Sequence, residues 1–316
     1  METRTLPGTD LALSVVGLGC WAIGGEWWGD DVRDADSIAA IETALELGIT
    51  WFDTAPLYGH GHADEILVKA LGASRHDVVI ATKVGPRWDG PGGHATSDLT
   101  PAHLIEDVEA SLVRLSLDRL PLVQIHWPCE QGTPLEASLE ALFELREAGK
   151  VGEIGLCNYE PDDVRAARAV GPVVSLQTPV SMVRREYEHG LAAACAETDM
   201  GVLAYEPLAR GLLTGKFTSP PRFPDRDLRA RDYRFTGRPF MKAARLAEGL
   251  ARIGAHFDLP PAALAIAWVL RRPGMTSAIA GAKRPEQVRA NVRAAEALGA
   301  EVPWDVVDQM VDAIRL

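Results

Sequence analysis

The sequence has little of what several classes of protein require. Its 316 residues include only four cysteines, Cys20, Cys129, Cys157 and Cys195, and these are scattered along the chain. None of them forms the closely spaced pairs that structural zinc sites and redox dithiols use. We therefore expect no disulfide framework and no metal centre, and a reducing cytoplasmic environment is the simplest expectation.

Long apolar runs and an excess of basic residues are also absent. The longest uncharged apolar stretch, Leu259–Leu270, is too short and too interrupted by proline to span a bilayer. The first residues contain neither the apolar core nor the cleavage site of a secretory signal. The 32 Lys and Arg against 44 Asp and Glu give a net charge of −12, whereas nucleic-acid binding needs a basic face. We expect neither a membrane nor a nucleic-acid partner, while the oligomeric state stays open.

A regular alternation of short apolar runs and amphipathic segments fills the chain after a predicted hairpin, Thr3–Ser14. The predicted strands are Val15–Gly19, Thr50–Asp53, Val78–Lys83, Leu122–His126, Gly152–Leu156, Val173–Gln177, Gly201–Tyr205 and Thr276–Ala280. Predicted helices follow them, many beginning at Pro, and an extra helix covers Pro303–Ile314. Eight such units with continuously apolar strands predict a single-domain (β/α)8 barrel, the α/β TIM barrel, over residues 1–316.

Four side chains with acid, base or hydrogen-bonding chemistry lie at or just past the ends of three successive predicted strands. Asp53 and Tyr58 follow the second strand, Lys83 ends the third and His126 ends the fourth. Parallel barrel strands end at one mouth, so these groups should meet there. A tyrosine pKa of about 10 is high for proton donation near neutrality, and a nearby ammonium should lower it. Asp53 would hold that ammonium, and His126 would orient a substrate oxygen. The set suits a carbonyl that gains a proton and a hydride.

The chain resembles the aldo-keto reductases over essentially its whole length. The resemblance lies in Gly17–Trp21, Phe52–Ala55 with Tyr58, Thr82–Gly85, Gln124–Pro128, Gly155–Asn158, Leu176–Gln177, Tyr205–Leu208 and Gly281–Lys283 with Gln287 and Asn291. It implies that Tyr58 is the general acid/base, that Lys83 and Asp53 tune it, and that His126 orients the carbonyl.

The same resemblance implies a nicotinamide cofactor lying across the barrel mouth, with NADPH expected. Asn158 and Gln177 would bind its carboxamide, and Tyr205 would stack on its ring. Lys283 would contact the phosphate that distinguishes NADPH, since no acidic residue comes between the eighth strand and Glu286. The remaining residues expected to bind cofactor are Trp21, Asp53, Pro207, Leu208, Gly211, Leu212, Lys216, Gly281, Gln287 and Asn291.

Two residues depart from the family pattern. Cys157 stands where the family usually has Ser, which removes a good hydroxyl donor. Glu206 also stands where Ser is common, and it brings a negative charge toward the pyrophosphate, which Arg210 would offset. Both departures bear on cofactor affinity.

Loop tryptophans suggest the substrate pocket, and one long loop interrupts the alternation. We expect Trp21, Trp28 and Trp88 to bind substrate with Tyr58 and His126, although Trp27 and Trp28 are equally consistent with loop packing. Residues 219–240 are rich in Pro, Arg and Asp. They form either a solvated insertion or a flap over the pyrophosphate.

Two alternative functions remain open at this stage. A cofactor-sensing accessory subunit, of the kind that associates with ion channels, shares this fold and these four residues. A non-redox barrel enzyme acting on phosphate compounds would bind no nicotinamide. The sequence predicts an NADPH-dependent enzyme that interconverts a small-molecule carbonyl and an alcohol.

Overall fold

The computed structural model describes residues 1–88, residue 90 and residues 95–314. The strands in those residues are β1 (Thr3–Thr5), β2 (Ala12–Ser14), β3 (Val16–Gly19), β4 (Trp51–Asp53), β5 (Val79–Val84), β6 (Pro86–Trp88), β7 (Ala95–Ser97), β8 (Leu120–Ile125), β9 (Val151–Cys157), β10 (Val173–Pro179), β11 (Gly201–Tyr205) and β12 (Met275–Gly281).

The helices are α1 (Asp34–Glu46), α2 (His62–Leu71), α3 (Pro101–Leu115), α4 (Leu135–Glu147), α5 (Pro161–Val170), α6 (Leu191–Thr198), α7 (Gly237–Ala255), α8 (Pro261–Leu270), α9 (Pro285–Val292), α10 (Ala294–Gly299) and α11 (Trp304–Ile314). None of these is long and apolar enough to cross a bilayer.

Eight parallel strands close into a barrel in the order β3, β4, β5, β8, β9, β10, β11, β12. The last strand pairs with the first, with Ala278 beside Val16. Every predicted strand overlaps one of these, which confirms the (β/α)8 fold. The strands are readable from sequence because both of their faces are buried, one in the interior and one under helices, so the runs are continuously apolar.

The amino-terminal hairpin β1–β2 packs against the amino ends of the barrel strands. Leu6 and Leu13 are buried in one apolar cluster with Trp51, which fills the barrel interior. The Trp51 indole donates hydrogen bonds to the Ser14 carbonyl (3.1 Å) and the Ser277 hydroxyl (3.0 Å). The barrel is thus filled at this end, and space for a ligand remains at the opposite mouth.

Three connections rise above the carboxyl ends of the strands. They are residues 20–33 after β3, the hairpin β6–β7, and residues 206–236 after β11. The last includes short 3-10 turns at Leu228–Arg231 and Tyr233–Phe235 and leads directly into α7. Asp227 and Asp232 begin these two turns by accepting hydrogen bonds from the backbone N–H groups of Arg229 and Arg234.

Candidate active site

The Lys83 ammonium is the centre of the polar cluster at the barrel mouth. Lys83 is fully buried at the end of β5. Its Nζ donates to Asp53 Oδ1 (2.7 Å), Tyr58 Oη (3.1 Å) and the Thr54 carbonyl (3.1 Å). The ammonium therefore has three short contacts, and two of these come from residues that the sequence had placed in the site. The His126 ring meets the Tyr58 ring edge-on, with centroids 6.0 Å apart.

Burial decides the direction of the pKa shift at Tyr58 and His126, whereas neighbouring charges decide it at Lys83. It raises the pKa of Tyr58 above its ordinary value, although the Lys83 charge opposes the rise. The expected net lowering of the Tyr58 pKa is thus absent from this structure, because desolvation outweighs the ammonium. Burial alone would lower the pKa of Lys83, but Asp53 and Tyr58 raise it, so the group stays cationic. Burial and the Lys83 charge lower the pKa of His126, which is neutral near pH 7.

Gln177 joins this cluster to the opposite wall of the barrel. Its Nε2 donates to Asp53 Oδ2 (2.7 Å) and to Gln124 Oε1 (3.3 Å). Asp53 is thereby held through both oxygens, one by Lys83 and one by Gln177. Gln124 is fully buried within β8 and is a site residue that the sequence reasoning did not single out. An amide in an otherwise apolar strand was the available signal.

Asn158 and Cys157 extend the network from the end of β9. Asn158 Nδ2 donates to the His126 carbonyl (3.0 Å) and to Cys157 Sγ (3.2 Å), while Asn158 Oδ1 accepts from Tyr205 Oη (2.7 Å). The Cys157 thiol donates to Gln177 Oε1 (3.6 Å), and burial raises its pKa to about 12. The side-chain N–H groups of Asn158 and Gln177 therefore already donate hydrogen bonds within the protein, whereas the side-chain oxygen of each keeps one free lone pair as an acceptor.

A cavity of about 890 Å³ opens above this network. Most of the residues expected in the site line it: Trp21, Trp28, Asp53, Tyr58, His126, Asn158, Gln177, Tyr205, Pro207, Leu208, Gly211, Lys216, Gly281, Lys283, Gln287 and Asn291. Trp27 and Trp127 line it as well. Lys83 lies behind Tyr58, where it touches the phenol and does not contribute to the wall.

Two expected residues lie away from the cavity wall. The Trp88 ring packs on the His60 ring, with centroids 5.5 Å apart, in the hairpin β6–β7. Leu212 is buried in the main apolar core, although its neighbour Gly211 faces the cavity.

Comparisons with known proteins agree with this geometry. The profile of the Aldo/keto reductase family matches residues 15–311. The chain belongs to the aldo-keto reductase family. It is 36% identical over 295 residues to "Aldo-keto reductase YhdN" of Bacillus subtilis, covering 92% of this chain and 87% of that protein. It is 32% identical over 327 residues to "NADH-specific methylglyoxal reductase" of Escherichia coli, covering 100% of both.

A solved structure shows the same likeness. The glycerol dehydrogenase AKR11B4 from Gluconobacter oxydans superposes with a TM-score of 0.87 at 34% identity, covering 99% of this chain and 94% of that chain. As members of this family act on carbonyl and alcohol groups with a nicotinamide cofactor, the cavity has to accommodate both a dinucleotide and a small molecule.

The two connections that follow β3 and β11 meet above the cavity of this aldo-keto reductase. Asp30 forms an ion pair with Arg226, and the Leu228 backbone N–H donates to the Trp27 carbonyl (3.0 Å). Arg229 lies over the Trp28 ring, 5.4 Å from its centroid, and is held by the Asp227 carboxylate. Trp27 and Trp28 therefore both line the cavity and pack the loop.

The charge of Glu206 is compensated within the protein. Glu206 accepts from Arg210 Nε (2.7 Å) and from Arg234 (3.4 Å), and both arginines also bond to Asp232. These two arginines and two carboxylates balance each other. The concern that Glu206 would bring a free negative charge toward the pyrophosphate is therefore removed.

Several cations nevertheless lie close together at the part of the cavity that Lys216 and Lys283 line. Burial lowers the pKa of Lys216, and the neighbouring charges of Arg229, Lys283 and Arg284 lower it further. Lys283 Nζ donates to the Trp28 carbonyl (3.3 Å), and the Lys283 backbone N–H donates to Gln287 Oε1 (2.9 Å). This end suits an anionic group, because three or more positive side chains act on one another there.

An acidic residue reaches Lys283, contrary to the expectation from the sequence. Asp31, in the connection after β3, accepts from Lys283 Nζ (2.5 Å) and from Arg284 (3.1 Å). Burial alone would raise the pKa of Asp31, but the hydrogen bond and charge of Lys283, with the charge of Arg284, lower it. The sequence indicated only which residues are near Lys283 along the chain. Asp31 lies 252 residues before Lys283 and is brought close to it by the fold.

Proposed function

We propose that this protein is an NADPH-dependent reductase that interconverts a small carbonyl compound and its alcohol, with Tyr58 as the general acid/base. The observation that carries the proposal is the buried Lys83 ammonium, which contacts both Tyr58 Oη and Asp53 Oδ1 at the wall of the cavity. An ammonium beside a phenol stabilises the phenolate that remains after proton donation.

The chain has the groups that a nicotinamide dinucleotide requires. Asn158 and Gln177 each offer a remaining acceptor to the N–H groups of a carboxamide. Cys157 would have to turn its weak thiol donor from Gln177 Oε1 to the carboxamide oxygen. Lys216 and Lys283 line the same cavity and supply positive charge for phosphates. Lys283 and Arg284 are the groups that we assign to the phosphate on the adenosine ribose, and this assignment is the reason for proposing NADPH.

Each member of the cluster then has a defined task. A bound reduced nicotinamide supplies the hydride to the carbonyl carbon. Tyr58 Oη gives its proton to the carbonyl oxygen, and Lys83 stabilises the phenolate that results. Neutral His126 donates a hydrogen bond to the same oxygen and orients it. In the oxidation direction, the Tyr58 phenolate takes the proton back.

The test is reduction of aldehydes and ketones, including methylglyoxal, with NADPH and oxidation of alcohols, including glycerol, with NADP+, both followed by the absorbance of NADPH. We expect NADPH-dependent reduction, and we expect Tyr58→Phe to lower kcat by about 10²–10⁴-fold, the usual contribution of a general acid. The Kd for NADPH should stay unchanged in that variant.

Three results would contradict the proposal in different ways. Full activity of Tyr58→Phe at saturating substrate would remove the acid assignment. Failure to bind any nicotinamide would favour a non-redox enzyme. Tight NADPH binding with negligible turnover and a stable protein partner would favour the accessory-subunit alternative.

A further inference from the structure

Asp31 holds a position that a phosphate bound to Lys283 would also need. Its side chain is 55% exposed, whereas that of Lys283 is 10% exposed, so the lysine is fixed and the carboxylate comes to it from the loop. The two carboxylate oxygens are divided between the two cations: Oδ1 bonds Lys283 and Oδ2 bonds Arg284. A phosphate monoester would bond the same pair of donors with its own oxygens.

Little else is available to satisfy these two cations if Asp31 is displaced. Within the described residues, Lys283 Nζ keeps only the Trp28 carbonyl as a further bonded acceptor, and Arg284 keeps Asp36 at 3.8 Å. Asp36 is itself engaged by Arg33 at 2.8 Å. An incoming dianionic phosphate could therefore replace Asp31, but it would gain only the difference between its own bonds and those that the carboxylate gives up.

We propose that Asp31 sets the cofactor preference of this enzyme by competing with the adenosine 2′-phosphate for Lys283 and Arg284. NADPH has to displace the carboxylate, whereas NADH, which has a free hydroxyl there, does not. The carboxylate is in addition an acceptor for that hydroxyl. The inference rests on the proposed function, because it takes Lys283 and Arg284 to be the phosphate ligands. Asp31 thereby lowers the ratio of the Kd for NADH to the Kd for NADPH, which would be larger if Lys283 and Arg284 acted without it.

The consequence is that removing one negative charge should strengthen binding of a cofactor selectively. Asp31→Asn keeps the shape of the side chain and removes the charge that competes with phosphate. We expect the Kd for NADPH to fall about five- to tenfold, as suits the loss of two partly exposed ion pairs. The Kd for NADH should stay the same or rise.

Asp30→Asn is the matched control. It removes the same charge from the adjacent position of the same loop, but Asp30 pairs with Arg226 and contacts neither Lys283 nor Arg284. Binding is measured by quenching of tryptophan fluorescence, with NADPH, NADH, 2′-AMP and 5′-AMP as the ligands. The two mononucleotides differ only in where the phosphate is attached, so they isolate the subsite from the nicotinamide end.

The expected result is that Asp31→Asn tightens NADPH and 2′-AMP, while NADH and 5′-AMP do not tighten. Asp30→Asn should leave the ratio of the Kd for NADH to that for NADPH unchanged. The inference is overturned if Asp31→Asn leaves that ratio unchanged, or if Asp30→Asn raises it equally, which would indicate a general effect of loop charge.

Lys283→Ala separates failure of this inference from failure of the proposed function. If Lys283→Ala weakens NADPH selectively while Asp31→Asn has no selective effect, the phosphate subsite stands and only the role of Asp31 is wrong. If Lys283→Ala weakens both dinucleotides equally, the phosphate assignment itself is wrong, and the inference falls with it.

Discussion

Replacing Lys83 by Met is the sharpest test of how the buried cluster works. The substitution keeps most of the side-chain volume and removes the charge that lies 3.1 Å from Tyr58 Oη. At an effective dielectric constant of about 20, a unit charge at that distance interacts by roughly 5 kcal/mol with the phenolate, equivalent to about four pKa units. The Lys83 cation stabilises the phenolate, so its removal raises the Tyr58 pKa further.

The assay is alcohol oxidation at saturating oxidised cofactor, measured as kcat/KM against pH. Oxidation needs the Tyr58 phenolate, so the rising limb of the profile should move to higher pH in Lys83→Met, and the rate should fall at every accessible pH. The variant also leaves the buried Asp53 carboxylate without its cation, which costs about 3–5 kcal/mol of unfolding free energy.

Two controls separate the charge effect from simple loss of structure. The double variant Asp53→Asn with Lys83→Met removes both charges, so it should recover much of the stability while the pH profile stays displaced. Lys69→Met makes the same change at an exposed position of α2 and should alter neither property. If Lys83→Met merely lowers the rate, with the limb at its original pH, the reasoning about Lys83 and Tyr58 is refuted.

Two further predictions concern the cofactor. Cys157→Ser replaces a weak thiol donor by a hydroxyl beside Gln177. The Kd for NADPH, measured by fluorescence, should therefore fall several-fold, in line with about 0.5–1.5 kcal/mol for one hydrogen bond. An unchanged or weaker affinity would speak against the assignment of Cys157 to the carboxamide. Residues 219–240 should close over the pyrophosphate and be mobile without cofactor, so limited proteolysis there should slow when NADPH is added, and equal cleavage rates would contradict this.

The barrel and its acid–base cluster were predictable because both depend on strand ends. A continuously apolar run predicts a strand buried on both faces, and parallel strands necessarily end at one mouth. Asp53, Lys83 and His126 could therefore be placed together without knowledge of any loop. Tyr58 follows β4 closely enough to remain near it.

The rest of the site depends on loop paths, which have no periodicity to read. The separation between Asp31 and Lys283 is 252 residues, and only the folded connection after β3 brings them together. Trp88 also lies in such a connection, the hairpin β6–β7, where its ring packs on that of His60. The direction of the Tyr58 pKa shift could not be predicted from the sequence either. It depends on whether burial or the Lys83 charge has the larger effect, and therefore on how completely the side chains are enclosed.

The order of the strands divides the enzyme's work between the two halves of the polypeptide. The proposed acid–base residues all come from β4, β5 and β8 or the turns after them, whereas Asn158, Gln177, Tyr205 and Lys283 come from β9 to β12 or the turns after them. During synthesis, the first half is made with its proton-transfer groups but with almost none of the side chains that would hold a dinucleotide.

Hydrogen bonds between the two halves, such as the one from Gln177 to Asp53, can form only after the second half has been synthesised. Strand β12 must then pair with β3 to close the barrel. A chain cut between β8 and α4 would give two fragments, each with half of an open sheet and half of the chemistry. Neither fragment alone should be active, so the turnover rate regained on mixing them would measure the fraction of fragments that had assembled into a closed barrel.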